Sequence, residues 1–544
     1  MANRNSRIIL AKNVKMDKDM RNVVNYTTNQ MIDMLTDSDH YVISDGHYSF
    51  IRNTGTIQTE FEYDVVLQAN YIAFENYDYA NKWFFAWIED VIYKGEKNTE
   101  IKYKIDAFST FNQNLIYENC FVVREHVNDD TIGLHTVPEN LETGDPIQDG
   151  KINSISQLDA PQIVIVECDA YPYPESFVNS SNPQVSRFSG VVQYNKLVSG
   201  HKYLVFDTIP DLSRFVHRMN KDGVVTEIKN MFMMPSSMFD LNPDYRSFAY
   251  DSTNAGEKIF YFWEISGSIE PANFDKIINK NYTFSGYNPV NNKCRVYPYN
   301  YLLASNNAGQ TKIYKYEDFE TGNCSFGVVG CVCVGGSFKL IPKKYKGTNA
   351  NMDESIALGK FPTCAWTSDA YTNWISQQAV NQIAESGTNI VQSALSGAVI
   401  GGGAGATGMA GLTLAGEVVD WIGAEKDAKL TPNTSGGANT GNVTWALGGN
   451  NFFLKKMCCK PEYMRIIDEY FTRFGYKVNR LKTPNVTGRA YFNYVQVASS
   501  DDPCYASIPE MYLDEIIKAF RRGITIWHDA SKIGDYSVNN AIVS

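Results

Sequence analysis

YIAFENYDYANKWFFAWIEDVIYKGEKNTEIKYKIDAF, residues Tyr71–Phe108, is the stretch on which the fold turns. Trp83–Tyr93 and Thr99–Phe108 read as two strands joined at Gly95-Glu96-Lys97-Asn98. In the second, Ile101, Tyr103 and Ile105 alternate with Lys102 and Lys104, the period of two that a half-buried strand produces. A hairpin is therefore expected here. The composition carries the same reading outward: 34 Tyr, 29 Phe and an aromatic content of 13%, among many Asn, Gly and Asp turns, favour β-structure throughout.

On either side of the hairpin the chain from Ile8 to His126 reads as one β-rich domain, with Phe121–Val127 as a further strand. His126 stands beside Glu125, but a strand-end histidine with no nucleophile near it reads as structural. From Asn128 to about Ser268 the pattern is less regular. Ile163–Cys168 is a strand, and Asp211–Met219 a short amphipathic helix with Leu212, Phe215, Val216 and Met219 at helical spacing. Pro172, Pro174, Pro210 and Pro235 punctuate what reads as an inserted domain. Short strands return in VYPYNYLL, TKIYKYEDF, CSFGVVGCVCV and SFKLIP, between Val296 and Pro342. Their meander-like spacing favours a barrel or sandwich over a parallel sheet.

Three further helices are expected. Thr367 or Ser368 can cap one beginning near Asp369, with Tyr371, Trp374, Ile375 and Ile383 on its apolar side. Pro461 suits a first helical position and Gly475 an end, with Tyr463, Met464, Ile467, Tyr470, Phe471 and Phe474 recurring between them. Pro509–Arg522 ends at Gly523 and leads into the strand Ile524–Trp527. The first two read as stalks flanking a long loop. A chain of 544 residues exceeds one compact core. The expected division is 1–127, an N-terminal β-rich domain; 128–290, an inserted β/α domain; 291–366 continued in 445–544, a second β-rich domain; and 367–444, helical stalk and apolar loop.

That loop contains SGTNIVQSALSGAVIGGGAGATGMAGLTLAG, Ser386–Gly416, without one charged side chain in a protein that is 20% charged. As a helix it would reach roughly 45 Å, beyond the ~30 Å hydrocarbon core of a bilayer. Its apolar residues instead fall in two short runs around a Gly-rich centre: Ile390, Val391, Leu395, Val399 and Ile400, then Met409, Leu412, Leu414, Val418, Val419, Trp421 and Ile422. Runs of that length fit re-entrant or interfacial segments. Gly397, Gly401 and Gly405 share one helical face and would permit close helix approach in lipid. Trp421 suits an interface.

Three other readings stand beside the membrane-active one. The stretch fits a flexible Gly/Ala loop, continued by TPNTSGGANTGN, or a buried helical hairpin. Gly403–Gly408 also matches the G-x-G-x-x-G of dinucleotide sites, but Gly401 and Gly402 interrupt the run Ala398–Ile400 before it, no strand ending in Asp or Glu follows at ~20 residues, and no βαβ rhythm continues. The net charge of −11 argues against a protein whose main task is to grip nucleic acid, though not against a surface DNA slides past. MANRNSRIILAKNVKMDKDM has no apolar core and is not expected to be a secretory signal. The 10 cysteines, Cys331, Cys333, Cys458 and Cys459 among them, form no C-x-x-C pair set, and the 7 histidines are dispersed. Reduced thiols and no metal or other cofactor are expected. No catalytic constellation stands out.

Ala69–Ile88 (ANYIAFENYDYANKWFFAWI) and FVVREHV at Phe121–Val127 resemble the N-terminal region of distal tail tube, or tail knob, proteins of small short-tailed phages of the picovirus type that infect Gram-positive bacteria. FGYKVNRLKTPNVTGRAYFNYVQV (Phe474–Val497) and GITIWHDASKIGDYSVNN (Gly523–Asn540) are similar to the C-terminus of the same family. The resemblance implies a mainly β fold of β-barrel tube domains with a few amphipathic helices and one long apolar loop. It implies a homohexamer at the distal end of the virion tail, assembled in the host cytoplasm against proximal tail and connector proteins. Double-stranded DNA would pass through its lumen without specific binding. The loop, roughly Ser386–Asn442 here, would plug that lumen and then perforate the host cytoplasmic membrane. An adhesin that binds cell-wall carbohydrate through aromatics such as Tyr77 and Tyr79 is the alternative, and a dinucleotide-binding enzyme using Gly403–Gly408 a more distant one.

Overall fold

A computed structural model describes residues 7–156 (except 47, 52–54 and 77–80), 272–358 (except 307–308 and 331–337) and 451–543. Elsewhere it describes only strands and a few single residues. Strands dominate. The chain divides into two compact units: Met1–Asp145 with Ser285–Tyr299 and Cys459–Ser544, and Pro146–Phe284 with Asn300–Cys458.

In the first unit, seven strands pair in the order Tyr41–Asp45, Ile8–Ala11, Tyr71–Asn76, Lys82–Gly95, Asn98–Ile105, Thr56–Thr59 and Tyr48–Ile51, all antiparallel. The strands at the two edges are consecutive in the chain, separated only by residues 46–47. The first pairs with Ile8–Ala11 and the second with Thr56–Thr59.

Successive side chains point to opposite faces. Ile8, Leu10, Ile72, Phe74, Ala86 and Ile88 gather with Ile57 and Ile101 in one buried cluster. Their neighbours Ile9, Ala11, Tyr71, Ala73, Phe85 and Trp87 gather in another, against Phe492 and Trp527 of a second sheet. Both faces are covered, so Ile8–Ala11 and Trp83–Ile88 read as unbroken apolar runs rather than as alternation.

The hairpin expected at Trp83–Phe108 is Lys82–Gly95 paired with Asn98–Ile105. Its second strand stops at Ile105, short of the expected Phe108. The buried Asp106 caps the short helix Ala107–Phe111, accepting from the Ser109 amide, and also accepts from the Tyr71 hydroxyl at 2.9 Å.

The second sheet of this unit runs Asn22–Val24, Ile524–Trp527, Phe492–Val497, Cys120–Glu125 and Tyr476–Lys482. Only its Asn22–Val24 edge is parallel among the described strand pairs. The helices Pro461–Phe474 and Glu510–Arg522 pack beside it, the first burying Met464, Ile467 and Phe471, the second Ile516, Ile517 and Phe520. Pro461 and Gly475 bound the first helix as their chemistry requires.

Gly475 has φ 62° and ψ −155°, and a Cβ placed there would lie 2.1 Å from the Glu125 carbonyl oxygen. That backbone region is essentially reserved for glycine, so Gly475→Ala combines strain of roughly 1–3 kcal/mol with a backbone clash. We expect it to lower the thermal midpoint by about 5 °C or more, or to abolish folding, measured by calorimetry against a Gly322→Ala control, whose backbone is not left-handed and whose Cβ would meet nothing within 4 Å.

In the second unit the expected short strands appear as Asn300–Ser305, Thr311–Tyr314, Asn323–Gly330 and Phe338–Tyr345. TKIYKYEDF is split: after Tyr314 the chain turns into a 3₁₀ segment, Tyr316–Asp318, that buries Tyr316. Tyr314, Phe319, Phe326 and Tyr345 pack edge to face or tilted, with ring centroids 4.7–5.6 Å apart, in a core completed by Leu302, Phe338, Leu340 and Leu454. The strand read at Ile163–Cys168 is Gln162–Cys168, the centre of an eight-stranded antiparallel sheet. Of the helix expected at Asp211–Met219, only Asp211, Leu212 and Phe215 are described, all helical.

Candidate functional site

The apolar residues singled out from the sequence, Ile390, Val391, Leu395, Val399, Ile400, Gly401, Gly405, Met409, Leu412, Leu414, Val418, Val419, Trp421 and Ile422, lie outside the described residues. So do the helix expected near Asp369, the Gly403–Gly408 motif, Tyr77 and Tyr79, and Cys331 and Cys333. The strands that root the loop are described. The eight-stranded sheet ends in Ile228–Pro235, Cys364–Thr367, Val443–Leu447 and the edge strand Thr434–Gly437. Cys364 pairs with Trp445 and Trp366 with Val443, while Thr434 pairs with Leu447 and Gly437 with Thr444. Residues 368–433 thus leave from one strand of this sheet and return into another. Thr367 is the last residue of a strand. The chain after the loop runs through Thr434–Gly437, Val443–Leu447 and Phe453–Cys458 before reaching Pro461–Phe474, so that helix is not a stalk of the loop. Its amphipathic stripe packs into the first unit instead.

A buried polar network explains how that unit is assembled from separated pieces of chain. Glu139, almost fully buried, accepts from Lys293 Nζ at 2.5 Å, from the Lys477 amide at 2.8 Å and from Arg124 Nη2. Arg124 Nη1 donates to the Gly475 carbonyl at 2.7 Å, and its guanidinium lies 4.8 Å from the centre of the Tyr470 ring. Burial pushes the Lys293 ammonium down, and the bond to Glu139 opposes that shift. Asp468, on the inner face of its helix, accepts from the Tyr287 hydroxyl at 2.8 Å, from the Val290 and Asn291 amides at 2.9 Å each and from Asn291 Nδ2 at 2.8 Å. The segment Ser285–Tyr299 is held through these groups. Sequence reasoning missed Glu139, Lys293 and Asp468, because each has partners more than a hundred residues away in the chain.

His126 is structural. It is buried, Nδ1 accepts from the Tyr494 amide at 2.8 Å, and Nε2 donates to the Thr472 carbonyl at 3.0 Å. Burial, then the charge of Arg489, pushes its pKa from 6.5 down to about 3. Below pH 6.5 the unfolded chain takes up a proton that the folded chain refuses until about pH 3, so stability falls as pH falls through this window. His126→Gln is expected to flatten the slope of stability against pH there by about one proton, read from urea midpoints between pH 4 and 7.

Cys120, Cys294, Cys324, Cys458, Cys459 and Cys504 are buried and in no disulfide among the described residues, and burial pushes Cys120 and Cys458 up to about 11. Among the described residues no group of His, Cys, Asp or Glu is placed to hold a metal ion. Nor, among them, is any helix long and apolar enough to cross a membrane.

Comparison with known proteins gives this arrangement its class. Residues 4–116, which contain the seven-stranded sheet, match the family described as the caudoviral major tail protein N-terminus, a phage tail component. Residues 267–541, just over half of the chain, match the family described as the C-terminal domain of the Bacillus phage phi29 tail knob protein gp9. The chain belongs to this tail knob family, and tail knob proteins are components of the virion tail. It is similar over 91% of its length to tail knob protein gp9 of Bacillus phage PZA (25% identical, 91% of that protein covered) and of phi29 (24%, 91%). Similarity to gp9 of Bacillus phage B103 is 23% over 92% of either chain. The fold is that of the bacteriophage C1 tail knob protein gp12, with a TM-score of 0.64 at 14% identity, covering 99% of this chain and 100% of that one.

Proposed function

We propose that this tail knob protein forms a homohexameric conduit for genome ejection whose apolar loops first plug the lumen and then perforate the host cytoplasmic membrane. The observation that carries the reading is the uncharged stretch Ser386–Gly416. One copy of it exposed to water would be costly. Copies gathered inside a ring shield one another, and each buried large apolar side chain contributes roughly 1.5–3 kcal/mol against the ordering cost. In this reading the β-rich regions 1–127, 291–366 and 445–544 build the tube, 367–444 carries the loop, and 128–290 is an accessory insertion. The partners are further copies of the chain, the proximal tail and connector proteins, and double-stranded DNA that slides past an acidic protein without being held. The protein acts without a cofactor and without catalysis.

Negative-stain images of the purified chain are expected to show rings or short hollow cylinders. Uniform monomers at micromolar concentration would sink the conduit. The purified protein is also expected to release dye from phospholipid vesicles, and a variant lacking Ser386–Gly416 is expected to release none.

A further inference from the structure

We infer that the strand Tyr476–Lys482 and the segment Thr28–Asp45 are the two halves of one contact between copies of this chain, the basic strand of one copy seated against the acidic segment of the next. The inference rests on the ring reading above and names the surfaces that make the ring. Residues 470–500 carry Arg473, Lys477, Arg480, Lys482 and Arg489 and no Asp or Glu. Residues 22–51 carry Asp33, Asp37, Asp39 and Asp45 and no Lys or Arg. Copies of a protein with a net charge of −11 repel one another on average, so they meet most readily where one sign faces the other.

The two segments belong to opposite edges of one sheet. The second sheet of the first unit runs from Asn22–Val24 at one edge to Tyr476–Lys482 at the other. Four strand spacings of about 4.8 Å, roughly 19 Å, separate those edges. Asn22–Val24 leads into the helix Thr28–Leu35, which buries Met31 and Leu35 in the cluster that also holds Trp527 of the same sheet. The strand Tyr41–Asp45 follows, at an edge of the seven-stranded sheet. Opposite charge at opposite edges favours a head-to-tail contact, in which two different surfaces meet. Contacts of that kind build rings when the rotation between copies closes.

Both surfaces face solvent. Asp33, Asp37, Asp39 and Tyr41 are exposed. On the basic strand Asn479, Arg480 and Leu481 are exposed, Leu481 by 73%. Leu481 stands opposite Phe121, which is also exposed. An apolar pair thus lies among charged side chains, the make-up of an interface centre with its polar rim. Lys482 is engaged by the buried Glu125 of its own chain, which leaves Arg480 as the exposed cation beside Leu481. Tyr476–Lys482 pairs only with Cys120–Glu125 among the described strands. Its register shifts between Val122 and Arg124, and Asn479 there has φ 46°. Bulges and basic side chains on an edge discourage open-ended backbone pairing, so recognition falls to the side chains.

The test is the assembly of the purified full chain, followed by sedimentation velocity over a concentration series. Arg480→Glu is expected to raise the midpoint concentration for assembly by about tenfold or more, and Asp39→Lys to do the same. Both side chains are exposed, so the thermal midpoints of these variants are expected to match that of the unaltered chain. One chain carrying both changes again presents opposite signs across the contact, and its assembly midpoint is expected to return to within about threefold of the original. Unchanged assembly of either single variant overturns the contact, and so does a double variant that assembles no better than the singles. In both of those cases rings formed by the unaltered chain keep the ring reading alive; an unaltered chain that stays monomeric removes that reading and this inference together. A basic strand could instead serve a polyanion. If Arg480→Glu loses binding to a short DNA duplex while its assembly is unchanged, the strand serves nucleic acid and the contact between copies is overturned.

Discussion

Glu139→Ala is expected to destabilise this tail knob protein by roughly 3–5 kcal/mol, a large share of the roughly 5–15 kcal/mol that keeps a domain folded. The carboxylate bridges Arg124 and Lys293, and both of those side chains are themselves buried. Removing it leaves two cations in a poorly solvated site and strips the Lys477 amide of its acceptor. Glu139→Gln keeps the shape and one acceptor oxygen but not the charge, so its loss should be smaller. Lys293→Met with Glu139→Gln removes charge from both sides and should recover part of the stability. Urea titrations of the single and double variants check this, and a Glu139→Ala loss below 1 kcal/mol would show that the network is incidental.

Deletion of Ser386–Gly416 is expected to leave virion particle counts unchanged and to lower the plaque titre by orders of magnitude. The deleted residues lie between Thr367 and Thr434, so the strands that root them remain intact in sequence. Among the described residues no helix can take over the passage through lipid. Replacing the stretch by a Gly/Ser linker of equal length separates apolarity from length: if the linker variant delivers DNA at full efficiency, length alone was needed and the membrane role is wrong.

How much of the molecule was legible varied with the range of the interactions. The hairpin at Lys82–Ile105, the strand Ile524–Trp527 and the helix between Pro461 and Gly475 were readable because period, turn residues and caps act within a few positions. The end of the hairpin at Ile105 was not, since Asp106 is captured by Tyr71 and Ser109 once the sheet has formed. Asp468 gave no local signal; its buried role depends on Tyr287, Val290 and Asn291 arriving from another part of the chain.

By itself the sequence determined the β class of this protein, the aromatic-rich strings that mark its family and the existence of one long uncharged insert. Each follows from residue type and local spacing, which need no knowledge of distant partners. Tertiary structure alone decided that the consecutive strands Tyr41–Asp45 and Tyr48–Ile51 take the two edges of the first sheet, that separated segments join around Glu139 and Asp468, and that the strands before and after the insert belong to one sheet. Those outcomes depend on which segments meet across hundreds of residues, and a pairing register or a shared buried charge leaves no periodic trace in the chain.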